Sequence, residues 1–264
     1  IYGTRAASGV ILITTKGGSN TNGKVRLSYN TELSHKQDYG ALKMLSGREY
    51  AAHNIGTDYG SDTDWWKEMI HDDNFSQKHH LTLESGTEKS QFYASFFYEN
   101  NEGIALKDER EDYGGRVNAN FKLFDDWLEI RPNISYRQAD RVNVYPNFKQ
   151  ALANNPTRSP YDPDSETGYN VWLNESLDYN VVADAMLTDY QGLDKWFKPE
   201  VTLKLNVKAI PGLYYEQIVG YENRQWEEHE YRPSTHREEL LNSRKGRAKL
   251  GFAKTERITS QGFA

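Results

Sequence analysis

The chain of 264 residues contains no cysteine, which removes thiol nucleophiles, thiolate metal sites and disulfide staples together. It lacks any apolar run of 18 residues, and its mean hydropathy of −0.85 excludes a membrane-spanning helix. Long runs of one charge sign are missing too. Lys plus Arg number 32 against 38 Asp plus Glu, a formal charge of −6, so nucleic acid is not an expected partner. No signal peptide is present, and the chain begins at Ile1 rather than Met, which reads as a piece of a longer protein. Catalytic signatures are absent: there is no HExxH, no GxSxG, no P-loop and no GxGxxG after a strand, so an enzyme is not expected. None of this excludes a transmembrane β-barrel, whose strands of about 9 to 11 residues need only every second side chain to be apolar.

What the sequence does contain is alternation with period 2, the pattern of strands with two chemically different faces. In Val25 to Leu33 the apolar set Val25, Leu27, Tyr29 and Leu33 is interleaved with Arg26, Ser28, Asn30 and Glu32. From Tyr113 to Leu123, Val117, Ala119, Phe121 and Leu123 share one face and Arg116, Asn118, Asn120 and Lys122 the other. From Leu128 to Arg137, Leu128, Ile130, Ile134 and Tyr136 oppose Glu129, Arg131, Asn133 and Arg137. From Val201 to Ala209, Val201, Leu203, Leu205 and Val207 oppose Thr202, Lys204, Asn206 and Lys208. Weaker strands are readable at Lys78 to Ser85, Gln91 to Asn100, Leu213 to Tyr231 and Arg247 to Glu256. The expectation is all-β, about eight antiparallel strands.

The joins alternate in length. Tight turns are expected at Gly86 to Lys89, Asp125-Asp126 and Pro211-Gly212, and long loops between the first two strands, from Asn101 to Asp112, and from about Val142 to Lys195. Short and long joins therefore fall at opposite ends of the sheet, as in outer-membrane barrels. Tyr98, Tyr113, Tyr136, Phe197 and Tyr221 share the apolar parity and lie about ten residues from the nearest short turn, which predicts an aromatic ring at a lipid interface. Helices are expected only inside the long joins, at Leu45 to Ile55, Asp62 to Ile70 and Asn147 to Leu152, and Gly17 to Gly23 reads as a linker.

Candidate chemistry is sparse. Glu227-Glu228 and Glu238-Glu239 suggest a glycosidase pair but read as solvated charged stretches. Asp162, Asp164 and Glu166 mimic the start of a calcium loop, yet position 12 of that register is Leu173, and the segment reads as a turn. His79 and His80 are adjacent strand residues pointing to opposite faces. No metal and no cofactor are expected. Trp65, Trp66, Trp172 and Trp226 lie in or next to long joins and are candidates for ligand contact, the competing reading being packing of loop helices at the rim.

Residues Tyr2-Gly3-Thr4-Arg5-Ala6-Ala7-Ser8-Gly9-Val10-Ile11-Leu12-Ile13-Thr14-Thr15-Lys16 resemble the C-terminal end of the plug domain in SusC/RagA-type TonB-dependent outer-membrane transporters. Asp62-Thr63-Asp64-Trp65, Ser85 to Lys89, Glu102-Gly103-Ile104, Asp126-Trp127-Leu128 and Asn155-Pro156-Thr157 also resemble that family. The resemblance implies a plug end over residues 1–18 and the N-terminal part of a larger, 22-stranded barrel over 19–264. It implies import of glycans or peptides across the outer membrane of a Gram-negative bacterium, with a SusD-like surface lipoprotein and the TonB complex as partners. Tyr2, Gly3, Arg5, Gly9 and Gly17 would shape the plug exit. The polar sets Arg116, Asn118, Asn120 and Lys122, Arg131, Asn133 and Arg137, and Lys204, Asn206 and Lys208 would line the water-filled lumen. A small complete outer-membrane barrel and a soluble β-rich glycan-binding module are the alternatives.

Overall fold

The computed structural model describes residues 17–40, 43–173 and 178–264. Eight strands run in chain order as one antiparallel meander: β1 Arg26–Ser34, β2 Ser76–Gly86, β3 Ser90–Glu102, β4 Glu109–Leu123, β5 Leu128–Val142, β6 Asp189–Asn206, β7 Tyr214–Arg232 and β8 Arg247–Phe263. Among the described residues β1 and β8 do not pair, so the sheet is open. The small closed barrel, which needs that pairing, is thereby excluded for the described residues.

The strands outrun their expected limits at the long-loop end. β4 starts at Glu109, β5 continues to Val142 and β6 starts at Asp189. In these extensions the otherwise apolar face carries Glu111, Gln138, Asp140 and Gln191, so both faces are polar and the periodicity that announces a strand disappears. The corrections at β6 go both ways. Its upper half was expected to be loop, and its lower end stops at Asn206, leaving Lys208 exposed in the turn after the strand rather than on its polar face.

Local chemistry fixes the short turns. Phe124, Asp125 and Asp126 take positive φ angles of 52°, 54° and 68°, a left-handed run in which Asp is better tolerated than most side chains. Gly86 is required for a close approach: a Cβ there would lie 2.5 Å from the Ser19 carbonyl oxygen. The segment read as a linker is in fact pinned to this turn, with Thr21 and Gly23 amides donating to the Gly86 carbonyl at 2.9 and 2.8 Å and the Gly86 amide donating to the buried Thr21 hydroxyl.

Four connections follow β1, β3, β5 and β7, at residues 35–75, 103–108, 143–188 and 233–246; three are long, while 103–108 has six residues against seven in the turn 207–213 at the opposite end. They hold short helices, α1 Gly47–Ala52, α2 Phe148–Ala153, α3 Val181–Leu187 and α4 Arg237–Leu241, and a 3-10 turn at Lys67–Met69 where a longer helix was expected. Helices this short are not stable alone. Ser46 and Glu49 close a capping box on α1, and Asn147 and Asn180 cap α2 and α3. α3 escaped sequence reading because its two valines favour a strand, and α4 because its five residues show no helical period.

The connections pack into one cap around Trp65, Met69, Ala151, Val181 and Val182. Ser61 and Thr63 amides donate to Thr157 and Pro156 carbonyls, Leu106 donates to Met69, and Lys107 Nζ donates to the Met186 and Thr188 carbonyls. Arg237 Nε donates to the Trp172 carbonyl at 3.0 Å, joining the fourth connection to the third. Met69 is fully buried at the centre. Truncating it to Ala is expected to cost about 2 to 5 kcal/mol, loosening the cap but not the sheet. Limited proteolysis should then cut the loops while the strands stay protected.

Candidate functional site

The register sorts the expected lumen residues onto one face. Arg116 faces Ser135, Asn118 faces Asn133, and Lys122 faces Glu129. Glu129, Arg131 and Arg137 face Lys204, Thr202 and Trp196 across the next ladder. Asn120 and Asn206 share that parity, and Asn206 Nδ2 donates to the Asp126 carbonyl at 2.7 Å. Arg131 on β5 bonds Glu216 on β7 across the width of β6, the convergence expected of side chains on the concave side of a curled sheet.

Several charges on this face are paired. Asp112 accepts from Arg110 Nε at 2.6 Å and from Arg137 Nη2 at 2.8 Å, and Asp194 accepts from Arg224 Nε at 3.1 Å with Arg141 at 3.7 Å. Arg116 Nε is shared between the Asn118 and Asn133 carbonyl oxygens, each at 3.1 Å. Trp196 lies beside two of these guanidinium groups, 4.6 Å from Arg224 and 5.9 Å from Arg137. Lys204 sits 4.2 Å over the Tyr214 ring. The face is polar and wettable, lined in part by a recess of about 500 Å³ that Phe97, Arg116, Arg137, Trp196, Lys198 and Glu222 border.

The opposite face is apolar and open. Phe121, Ile134, Leu205 and Val219 are each more than two-fifths exposed, which soluble monomers rarely arrange contiguously. The expected ring lies on this face: Tyr98 faces Tyr113 and Tyr136 faces Phe197 across their ladders, with Tyr221 on the same parity of β7. Sequence reading missed its continuation. His79 stacks between Tyr29 and Tyr98, with centroids 6.0 and 6.2 Å away; it is not one of the Tyr and Phe residues the spacing singles out, and β1, which carries Tyr29, has no short turn before it from which to count. The phenols point away from the apolar band: Tyr98 donates to Glu111, Tyr136 to Gln138 and Tyr221 to Glu256. A second exposed aromatic set, Phe124, Trp127 and Tyr215, lies at the short-turn end. From Trp127 to Tyr136 the chain climbs nine residues, about 30 Å along the strand and roughly 23 Å at a tilt of about 40°. That matches the apolar band of an outer-membrane wall, about 25 Å tall.

The four tryptophans separate. Trp65 is 4% exposed, donates to the Asn155 carbonyl and meets Trp172 edge-on at 5.7 Å, while Arg158 covers the Trp172 ring at 4.5 Å. For Trp65 and Trp172 the packing reading therefore fits. Trp66 donates to Asp38 and borders an open groove. Trp226 stands on the concave face opposite Asp194.

Of the carboxylate pairs, Glu227 and Glu228 are strand residues on opposite faces of β7, not loop residues. Glu239 in α4 is also not solvated: it is fully buried and accepts from Arg244 Nε and Nη2 at 2.7 and 2.9 Å. The segment after Tyr161 is a closed turn, with the Asp162 amide donating to the Gly168 carbonyl at 2.9 Å. No cluster of three metal-binding side chains occurs among the described residues. Tyr2, Gly3, Arg5 and Gly9 lie outside the described residues, and Gly17 is the first of those described.

An amphipathic wall with aromatic rings at two heights, a polar concave face and long connections at one end is a stretch of transmembrane β-barrel. No family model matches the chain. Curated proteins do: the TonB-dependent receptor SusC of Bacteroides thetaiotaomicron is 31% identical over 188 residues, 66% of this chain and 18% of that protein. The TonB-dependent receptor P26 of Formosa agariphila is 26% identical over 227 residues, 74% of this chain and 23% of that protein. Among solved structures, the RagAB peptide importer matches with a TM-score of 0.72 in its open-open state and 0.69 in its closed-closed state. Each match has 18% identity, covers 99% of this chain, and takes in 34% and 35% of the respective longer chain. The resemblance to SusC/RagA-type TonB-dependent receptors thus holds in sequence and in fold, and the chain spans about a fifth of the curated relatives' length.

Arg244 holds the Glu239 carboxyl below its usual range through their paired hydrogen bonds. A depressed carboxyl stabilises the fold above its unfolded pKa of about 4.3 and loses that contribution as pH falls through the lower folded value. Protease cleavage within residues 233–246 should therefore rise below about pH 4, and Glu239→Gln should remove that acid step.

Proposed function

We infer that this chain forms part of the wall and loop cap of a TonB-dependent importer in the outer membrane of a Gram-negative bacterium. The protein would take up large nutrients, oligosaccharides or peptides, together with a SusD-like surface lipoprotein. The observation that carries the reading is the division of the sheet into a mainly apolar convex face bounded by aromatic side chains and a mainly polar concave face. That division is what a wall between lipid and a wet lumen needs. A soluble glycan-binding module would have to bury Phe121, Ile134 and Val219 against something else, and among the described residues nothing covers them.

In this reading residues 1–18 are the plug end, and the TonB complex moves the plug to admit substrate. The concave residues are a passage in this reading, with Arg137, Arg224 and Arg131 held by Asp112, Asp194 and Glu216. The Nε of Arg131 and of Arg141 are buried without a hydrogen-bond partner, sites that lumen water could serve.

Two adjacent substitutions test the assignment of faces. Leu81 lies on the apolar face opposite Tyr29 and Phe96, and Thr82 on the polar face opposite Ser28 and Ser95. In the full-length protein Leu81→Lys should destabilise by roughly 2 to 4 kcal/mol if it lies near the bilayer midplane, whereas Thr82→Lys should be nearly neutral. Urea titration of protein refolded into vesicles measures both, and equal costs would refute the assignment. For transport, TonB-dependent growth on a polymeric nutrient, lost on deleting the gene, is the expected result.

A further inference from the structure

The register fixes the height at which each strand crosses the lipid boundary. One row of paired residues joins Thr31 and His79 to Tyr98 and Tyr113 and runs on through Gln138, Lys195 and Gln225 to Lys254, from β1 to β8. Below this row β1 runs five residues to Arg26, β3 eight to Ser90, β5 ten to Leu128 and β7 eleven to Tyr214. The short-turn end therefore descends by about one residue per strand relative to the row. A tilt of about 40° at a strand spacing of about 4.8 Å gives the same offset, about 4 Å or roughly one residue. The aromatic ring follows that slope. Tyr113 lies on the row, Tyr136 and Phe197 two residues below it, and Tyr221 and the exposed Ile258 four below.

Carried back from Tyr113, the slope meets β2 at about Gln77 and β1 at about Leu33, above His79 and Tyr29. Leu33 and Gln77 are paired on the convex face, and Leu33 is 59% exposed. The next outward position is Phe75, just before β2, 48% exposed and with its amide held by the Glu102 carboxylate at 2.9 Å. On β4, β6 and β8 the first outward side chain above the ring is charged: Glu111, Lys195 and Glu256. Between Tyr29 and Phe75 the outward positions are Thr31, Leu33 and Gln77, so no charge must be desolvated there. The one nearby lysine is turned to β3, Lys36 Nζ donating to Asn101 Oδ1 and to the Glu102 carbonyl. Asn74, 2% exposed, closes the foot of the first connection by accepting from the Lys36 amide and donating to the Lys36 carbonyl. We propose that Leu33 and Phe75 insert into the lipid of the outer leaflet and anchor the foot of the first connection at the membrane surface. The patch continues the lipid-facing band beneath it, and the proposal rests on the membrane-wall reading.

The test uses the full-length protein in dilauroylphosphatidylcholine vesicles, any other cysteine replaced by serine. Leu33→Cys, Phe75→Cys, Ala119→Cys and Glu109→Cys are made singly and labelled with a nitroxide. Ala119 faces outward within the apolar band of β4, and Glu109 stands above the ring on the same strand. Power-saturation spectroscopy compares collisions with oxygen, which concentrates in hydrocarbon, and with a nickel chelate, which stays in water. The oxygen-to-nickel ratio is expected to be high at 119, 33 and 75 and severalfold lower at 109. Labels at 33 and 75 that are open to water, with 119 in lipid, would overturn the proposal and leave the wall standing. Labels at 33 and 75 shielded from both reagents would show a protein in place of lipid and overturn it too. A label at 119 open to water would refute the membrane wall, and the proposal with it. Far-ultraviolet circular dichroism verifies that each labelled protein is folded.

Discussion

Everything in this molecule depends on keeping one ladder register. A strand pair shifted by a single residue would turn every apolar side chain to the polar side. In a wall between lipid and water that error is not local, because backbone amides can be satisfied only by the neighbouring strand. The tight turns set the register. The left-handed run at Phe124, Asp125 and Asp126 and the crowded Gly86 leave little freedom to slip. Thr21, bonded to Gly86 before β1 begins, extends the same control to the strand that no short turn precedes.

The second organising feature is that charge is handled pairwise on the concave side and by height on the convex side. Asp112 sits between Arg110 and Arg137, and Asp194 between Arg141 and Arg224. Among the described strands, outward carboxylates such as Glu111 and Glu256 lie beyond the aromatic ring, where these two receive the phenol hydroxyls. An exposed tyrosine at that level has its ring in one medium and its oxygen in another, and its side chain marks the boundary better than average hydropathy does.

How much of this could be read from the chain follows from where water touches it. All eight strands were legible where one face meets lipid, because there the alternation of Val117, Ala119 and Phe121 with Arg116, Asn118 and Asn120 is chemical as well as geometric. Above the ring both faces are wet, and the upper halves of β5 and β6 left no period to find. Helices α3 and α4 were invisible for a different reason: a helix of five to seven residues exists through tertiary contacts, here His236 against Asp184 at 3.1 Å and Arg237 against the Trp172 carbonyl. The fate of the tryptophans followed the same rule. Spacing placed them near loops, but only the fold tells that Trp65 is sealed and Trp66 is not. Lys208 failed as a lumen residue because alternation continues for a few residues into a turn that no longer has faces.

The strands that outrun the apolar band change the surroundings of the cap. From Tyr221 to Arg232, β7 rises eleven residues, about 36 Å along the strand and roughly 28 Å at a tilt near 40°. The rim of the wall is uneven, because β1 ends five residues past Tyr29 and β2 begins three residues before His79. The fourth connection therefore leaves the wall several Debye lengths of about 8 Å above the lipid boundary, whereas the first leaves it close to the headgroup layer. Membrane composition can act on charges at the foot of the first connection and leave those at the top of β7 untouched.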